Sequence, residues 1–236
     1  MRLDRFLCEM NMGTRSQVKE MIRRGQVSVN GETARKADQK IREGADLVCV
    51  QGEEICYRKY VYYMLNKPAG VVSAVTDNTA GTVVELLRQE DRQRGLFPVG
   101  RLDKDTEGLL LLTNDGGLAH RLLSPGKHVD KAYLVTPDHE LGEQDILRLE
   151  QGVEIGEDRP TLPGKVTPLK DGKILLTIHE GKYHQVKRML QAVDNRVLTL
   201  KRTSFGGLKL DEGLSPGEYR PLTEREVQIL HETVGM

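Results

Sequence analysis

Nine residues, Gly100-Arg101-Leu102-Asp103-Lys104-Asp105-Thr106-Glu107-Gly108, crowd acids, bases and two glycines together. Such a mixture suits neither a helix nor a core strand. It runs into Leu109-Leu110-Leu111-Leu112-Thr113 and stops at Asn114-Asp115-Gly116-Gly117, which reads as a strand buried on both faces and closed by a turn. A polar loop opening onto a rigid element suits a reactive carboxylate, since the strand holds its geometry and the glycines admit another chain closely. The competing reading is a surface turn of solvated charges. A second candidate is the segment 183–193, where Val186, Met189, Leu190 and Val193 fall on one helical stripe and His184, Lys187, Arg188 and Gln191 on the opposite one. That polar stripe is either a basic edge or a solvated surface. The third is the N-terminus: residues 1–42 carry ten Lys or Arg and five Asp or Glu, a local net charge of +5 in a chain whose total is zero. A basic end on a neutral protein can hold a polyanion.

The surrounding chain must position these groups. At 236 residues it can bury a core without staples. Cys8, Cys49 and Cys56 are odd in number and form no C-x-x-C pair, so a reduced, cytoplasmic setting is expected and zinc is not. The start Met1-Arg2-Leu3-Asp4-Arg5 lacks the apolar run of a signal peptide, and no stretch has the length of a membrane span.

Leu3, Phe6, Leu7 and Met10 predict a short helix. Thr14 and Gln17 form a capping box for a second helix, with Val18, Met21 and Ile22 inward and Gly25 at its end. Strands follow at Val27–Val29, before the turn Asn30-Gly31, and at 45–50. After a polar linker at 52–59, strands are expected at 60–65, 131–136, 174–178, 197–203 and 208–210. Helices are expected from the Thr82/Glu85 capping box, around Leu118 to Leu123, around Ile146 and Leu149, at 183–193, and after the Thr223/Glu226 capping box. The interleaving lacks a βαβ rhythm, so the expected class is α+β with a mixed, mainly antiparallel sheet flanked by helices.

Arg2-Leu3-Asp4-x-x-Leu7, Thr14-Arg15-Ser16, Val18, Ile22 and Gly25-x-Val27-x-Val29-Asn30-Gly31 resemble the S4 RNA-binding domain over residues 1–58. On its two helices Arg2, Arg5, Arg15, Lys19, Arg23 and Arg24 would neutralise phosphates without reading bases.

Residues 60–223, within a second domain at 59–236, resemble a pseudouridine synthase of the RsuA family. The carriers are Asn66-Lys67-Pro68-x-Gly70, the Gly100 to Leu109 loop, Lys131-x-Tyr133, Glu180-Gly181-Lys182-Tyr183-His184-Gln185-Val186-Lys187-Arg188-Met189, and Pro216-Gly217-x-Tyr219-Arg220-x-Leu222. The resemblance implies that Asp103 is the catalytic aspartate, exchanging a uridine's N1 glycosidic bond for one to C5. A carboxylate can attack the anomeric carbon or stabilise charge there. Tyr133 would stack on the uracil and take part in removing the C5 proton, with a helper, because a neutral phenol is a weak base. Lys187 stands where the superfamily usually has arginine and would pair with Asp103, with Arg188 as the alternative. Leu200 would pack under the base. Arg101, Lys104 and Arg202 would hold phosphates of an RNA whose target base is flipped out.

The isomerisation needs neither metal nor cofactor. The expected partner is ribosomal RNA or a small-subunit assembly intermediate, met by a monomer away from membranes, because the His184 to Met189 wording resembles the small-subunit branch more than the large-subunit one. Two other classes remain: a non-catalytic RNA-binding assembly factor, and an RNA glycosidase using Asp103 with Asp105.

Overall fold

A computed structural model describes residues 1–10, 12–55, 59–92 and 94–236. Cys56 and the expected domain boundary at residue 58 lie outside the described residues. The chain divides into two compact units, Met1–Val61 with Gln89–Arg94, and Tyr62–Arg88 with Gly95–Met236.

The first unit holds α1 (Leu3–Glu9), α2 (Arg15–Arg23), β1 (Val27–Val29), β2 (Glu32–Thr33), β3 (Val48–Val50), β4 (Glu53–Glu54) and the short α3 (Gln89–Arg92). Its sheet runs β2-β1-β3-β4, all antiparallel. The expected capping box forms: the Gln17 amide donates to the Thr14 hydroxyl and the Thr14 amide to Gln17 Oε1, which satisfies two orphan donors at the start of α2. Leu3, Phe6, Leu7, Val18 and Ile22 meet Val27, Val29 and Val48 in one core, so the helical and strand periodicities converge on a single buried face. Residues 45–47 stay outside β3, because Asp46 accepts from the Arg42 amide and side chain and holds that segment in a turn.

The second unit contains β5 (Tyr62–Lys67), β6 (Phe97–Pro98), β7 (Glu107–Thr113), α4 (Gly116–Leu123), β8 (Lys131–Pro137), α5 (Glu143–Gln151), β9 (Lys165–Pro168), β10 (Ile174–Ile178), α6 (Gln185–Gln191), β11 (Val197–Phe205), β12 (Leu208–Lys209), β13 (Tyr219–Pro221) and α7 (Glu224–Val234). The sheet order is β13-β5-β7-β11-β8-β10-β9, with β12 on β11 and β6 on β7. These strands pair antiparallel except β7 with β11, which are parallel, so the sheet is mixed and mainly antiparallel as expected. The leucine strand lies inside it: Leu109, Leu110, Leu111 and Leu112 are all buried.

Further expectations change, and the strand expected at 60–65 forms at Tyr62–Lys67. No helix follows Thr82. The reciprocal Thr82–Glu85 bonds form, but the Val83 amide donates to the Val72 carbonyl, and Val83, Val84 and Leu87 are all buried. Nearly consecutive apolar residues need burial all round, which a helix with one inward stripe does not provide. Strands β9 and β13 were hidden by Pro and Gly, and both form at positions bordered by them. Finally, α6 starts at Gln185, one residue after His184 takes a left-handed conformation (φ 48°).

Candidate active site

Strand register gathers the site. On β11 Arg202 sits opposite Tyr133 of β8 and beside Gly108 of β7, Leu200 sits opposite Val135, and Leu176 of β10 sits opposite Tyr133. Side chains alternate along strands, so Tyr133, Leu200 and Arg202 share one face. Gly108 makes this pairing possible. It has φ +100°, and a Cβ there would lie 2.2 Å from the Arg202 carbonyl oxygen.

Over this face stands the loop of residues 100–106, tied down at several points. Ser73 Oγ donates to the Leu102 carbonyl at 2.9 Å and accepts from the Leu102 amide at 3.0 Å. The Gly70 amide donates to the Lys104 carbonyl. Beneath it Lys67, wholly buried, donates to the carbonyls of Thr106 (2.8 Å), Asp103 (3.0 Å), Pro68 (3.1 Å) and Lys104 (3.3 Å). Three N–H groups facing four carbonyls make one a shared bond. Burial pulls the Lys67 ammonium down to about 8, against the charges of Asp105, Asp103 and Glu107. Asp103 is thus held through its main chain, leaving its carboxylate to project.

That carboxylate meets α6. Lys187 Nζ lies 3.3 Å from Asp103 Oδ2 and His184 Nε2 lies 3.6 Å from Oδ1. Lys187 binds Asp105 more closely, at 2.6 and 2.9 Å, and this bond holds the Asp105 carboxyl below the usual carboxylate range. Burial pulls the Lys187 ammonium down, but the bonds and charges of Asp105 and Asp103 outweigh it and leave it raised. Asp103 and Asp105 therefore share one ammonium instead of facing each other across a bond, which does not suit a two-carboxylate glycosidase.

Asp103, Tyr133, Lys187, Leu200, Arg202 and Arg101 all line one cavity of about 520 Å³. Three expected residues fall elsewhere in this unit or play other parts. Lys104 is exposed and is not in the cavity wall. Arg188 donates to Glu157 at 2.7 Å and to the carbonyls of Tyr183 and Ile155, and does not line the cavity. One position along α6 turns the side chain by about 100°, and so Lys187 takes the place beside Asp103. Arg202 is not a surface cation: it is 2 % exposed, with Nε donating to the Leu109 carbonyl at 2.8 Å. The wall also includes Thr106, Lys131 and His184, for which the motifs had suggested no role. Among the described residues no cluster of three His, Cys, Asp or Glu side chains has the arrangement of a metal site.

In the first unit Arg2, Arg5, Arg15, Lys19, Arg23 and Arg24 are all exposed. Arg2 pairs with Asp4, Arg5 with Glu9, and Arg23 and Arg24 with Glu20. Exposed pairs contribute little and exchange readily for phosphate contacts.

Residues 61–192 match the model of the RNA pseudouridylate synthase family, and residues 1–47 match the S4 domain. The chain belongs to the RNA pseudouridylate synthase family. It is similar to the Ribosomal small subunit pseudouridine synthase A (RsuA) of Vibrio cholerae, 41 % identical across 96 % of this chain and 98 % of that protein. It is also similar to the Uncharacterized RNA pseudouridine synthase YtzG of Bacillus subtilis, 48 % identical across 98 % and 99 %. A crystal structure of a pseudouridylate synthase superposes with a TM-score of 0.69 at 40 % identity, covering 98 % of this chain and 99 % of that one. Pseudouridylate synthases are isomerases of RNA uridine, and this is the chain's enzyme class. No helix among the described residues is long and apolar enough to cross a membrane.

Proposed function

We propose that this pseudouridine synthase acts through Asp103 on a uridine of small-subunit ribosomal RNA. The observation that carries the reading is the 3.3 Å approach of Lys187 Nζ to Asp103 Oδ2 at the cavity that Tyr133 also lines. Asp103 assists cleavage at the sugar's anomeric carbon, as carboxylates do in glycosyl chemistry. Lys187 keeps a counter-charge beside it while Asp105 holds the other side of the ammonium. Tyr133, fixed by its strand, lies against the uracil ring, and Leu200 packs beneath it. The uridine reaches this cavity by leaving its stack.

The small-subunit substrate is supported by the likeness to a protein of that name and by lysine at position 187. The exposed arginines of α1 and α2 act as a tether, in a monomer working in the cytoplasm on ribosomal RNA or an assembly intermediate. Tritium release from C5-labelled uridine tests the reading, with small-subunit and large-subunit RNA compared. The expected result is release from the small-subunit RNA by the native protein and none by Asp103→Asn. Undiminished release by Asp103→Asn would remove the assignment.

A further inference from the structure

Two polar groups in the cavity wall have no hydrogen-bond partner among the described residues: the Nη2 of Arg202 and the hydroxyl of Thr106. Both side chains are buried, at 2 % and 1 % exposure. The pairing of Arg202 with Gly108 puts Thr106 two residues away along β7's leading edge. The rest of the guanidinium is fixed, with Nε on the Leu109 carbonyl and Cζ 4.9 Å from the centroid of Phe205. A second cation joins them in the wall: Lys131 is buried and donates to the Val129 carbonyl at 2.8 Å. Burial, then the charge of Arg202, pulls its ammonium down to about 8. A buried donor left unpaired is destabilising, and more so when the group is charged. Gathering two such groups beside a second cation makes sense where a ligand completes their bonds.

We propose that Arg202, Thr106 and Lys131 form the base subsite, a set of donors that takes the carbonyl oxygens of uracil and holds the ring while it is detached from the sugar. When the C1′–N1 bond breaks, its electron pair leaves on N1 and spreads onto O2 and O4. The ring is then an anion, and two cations with a hydroxyl are the groups that stabilise it in a water-poor site. The ring turns, C5 bonds to C1′, C5 gives up its proton and N1 takes one, so the atoms balance without a co-reactant. The anion forms whichever way the carboxylate assists the sugar carbon. Burial separates this role from phosphate holding, for which the exposed Arg101 at the same cavity is better placed. Donors facing O4 also disfavour cytosine, whose amino group cannot accept. The inference rests on the cavity of Asp103 being the uridine site.

The test uses the full chain with C5-tritiated small-subunit RNA, and follows tritium release, free uracil and abasic sites in the RNA. Thr106→Val removes a hydroxyl that makes no internal bond, so its thermal midpoint should match the native protein while turnover falls about tenfold. Arg202→Met should lose roughly a hundredfold, and Arg202→Lys should regain part of it. Both Thr106→Val and Arg202→Met should release free uracil and leave abasic RNA, which the native protein does not. Native turnover by Thr106→Val, or by a folded Arg202→Met, overturns the subsite. Lost turnover without free uracil marks a structural role and overturns it equally. If Arg202→Met does not fold, Thr106→Val decides alone. Asp103→Asn should yield neither product, so activity retained there would sink the role of Asp103 without touching this result.

Discussion

Lys67 Nζ donates to the main-chain carbonyl of Asp103 at 3.0 Å from a position that solvent does not reach. The residue bearing the candidate carboxylate is thus anchored from beneath by a cation bonded to three further carbonyls. Replacing Lys67 with Met keeps the bulk but leaves those acceptors without a donor. Stability should fall by about 3 kcal/mol. Turnover should fall more than RNA affinity does, because the loop loses its geometry. Urea unfolding and tritium release check this, and a variant as stable as the native protein would show that the carbonyls find other donors.

Lys187 and Arg188 are neighbours in sequence with separate tasks. Lys187→Met removes the counter-charge of Asp103 and should slow turnover roughly a hundredfold, with Lys187→Arg recovering much of it. Arg188→Met, which cuts the links to Glu157 and the 155 and 183 carbonyls, should lower the melting temperature and spare most of the turnover. The reverse ordering in a tritium-release assay would move the counter-charge to Arg188.

Gly108 has φ +100°, and an added Cβ would stand 2.2 Å from the Arg202 carbonyl oxygen. Gly108→Ala must therefore push β7 and β11 apart or leave the left-handed region. A loss of about 2–4 kcal/mol is expected, together with lost turnover, since the same seam positions Arg202. Gly172→Ala, at φ +73° with nothing within 4 Å, supplies the comparison: backbone strain without a clash. Equal losses in thermal unfolding would leave the clash without effect.

Arg220 bonds both oxygens of Glu226 and reaches Asp211 at 2.6 Å. The bonds from Arg220 hold the Glu226 carboxyl at about 2, with Thr223 adding to them and burial opposing. Its folded value lies below the ordinary 4.5, so the stabilisation is complete above that pH and is lost as pH falls toward about 2. Unfolding followed from neutral pH down through this window should show the native protein losing stability faster than Arg220→Met. Parallel curves would mean that the pair adds nothing specific.

Arg15 and Lys19 lie one turn apart on the exposed side of α2. Changing each to Ala should weaken RNA binding and reduce the slope of log affinity against log salt by about one per contact. Titrations at several salt concentrations measure it, and an unaltered slope would take these two out of the phosphate contacts.

Much of this protein is written along the chain. The 3.6-residue stripes of α1, α2 and α6, the capping boxes at Thr14 and Thr223, and the four leucines of β7 are local patterns, and local hydrogen bonding and one-sided burial suffice to decide them. The motifs singled out Asp103, Tyr133 and Lys187, and the structure brings these three to the wall of one cavity. What depended on the tertiary structure was anything set by partners distant in sequence. The Thr82–Glu85 bonds formed without the expected helix, the Val83 amide going instead to the Val72 carbonyl. Strands β9 and β13 exist because β10 and β5 offer them edges. The preference of Lys187 for Asp105, the burial of Arg202 and the cation beneath the Asp103 loop arise from register between segments tens of residues apart. A spacing rule reaches one helical turn or one pleat, whereas the charge balance of a cavity is the sum over every strand that borders it.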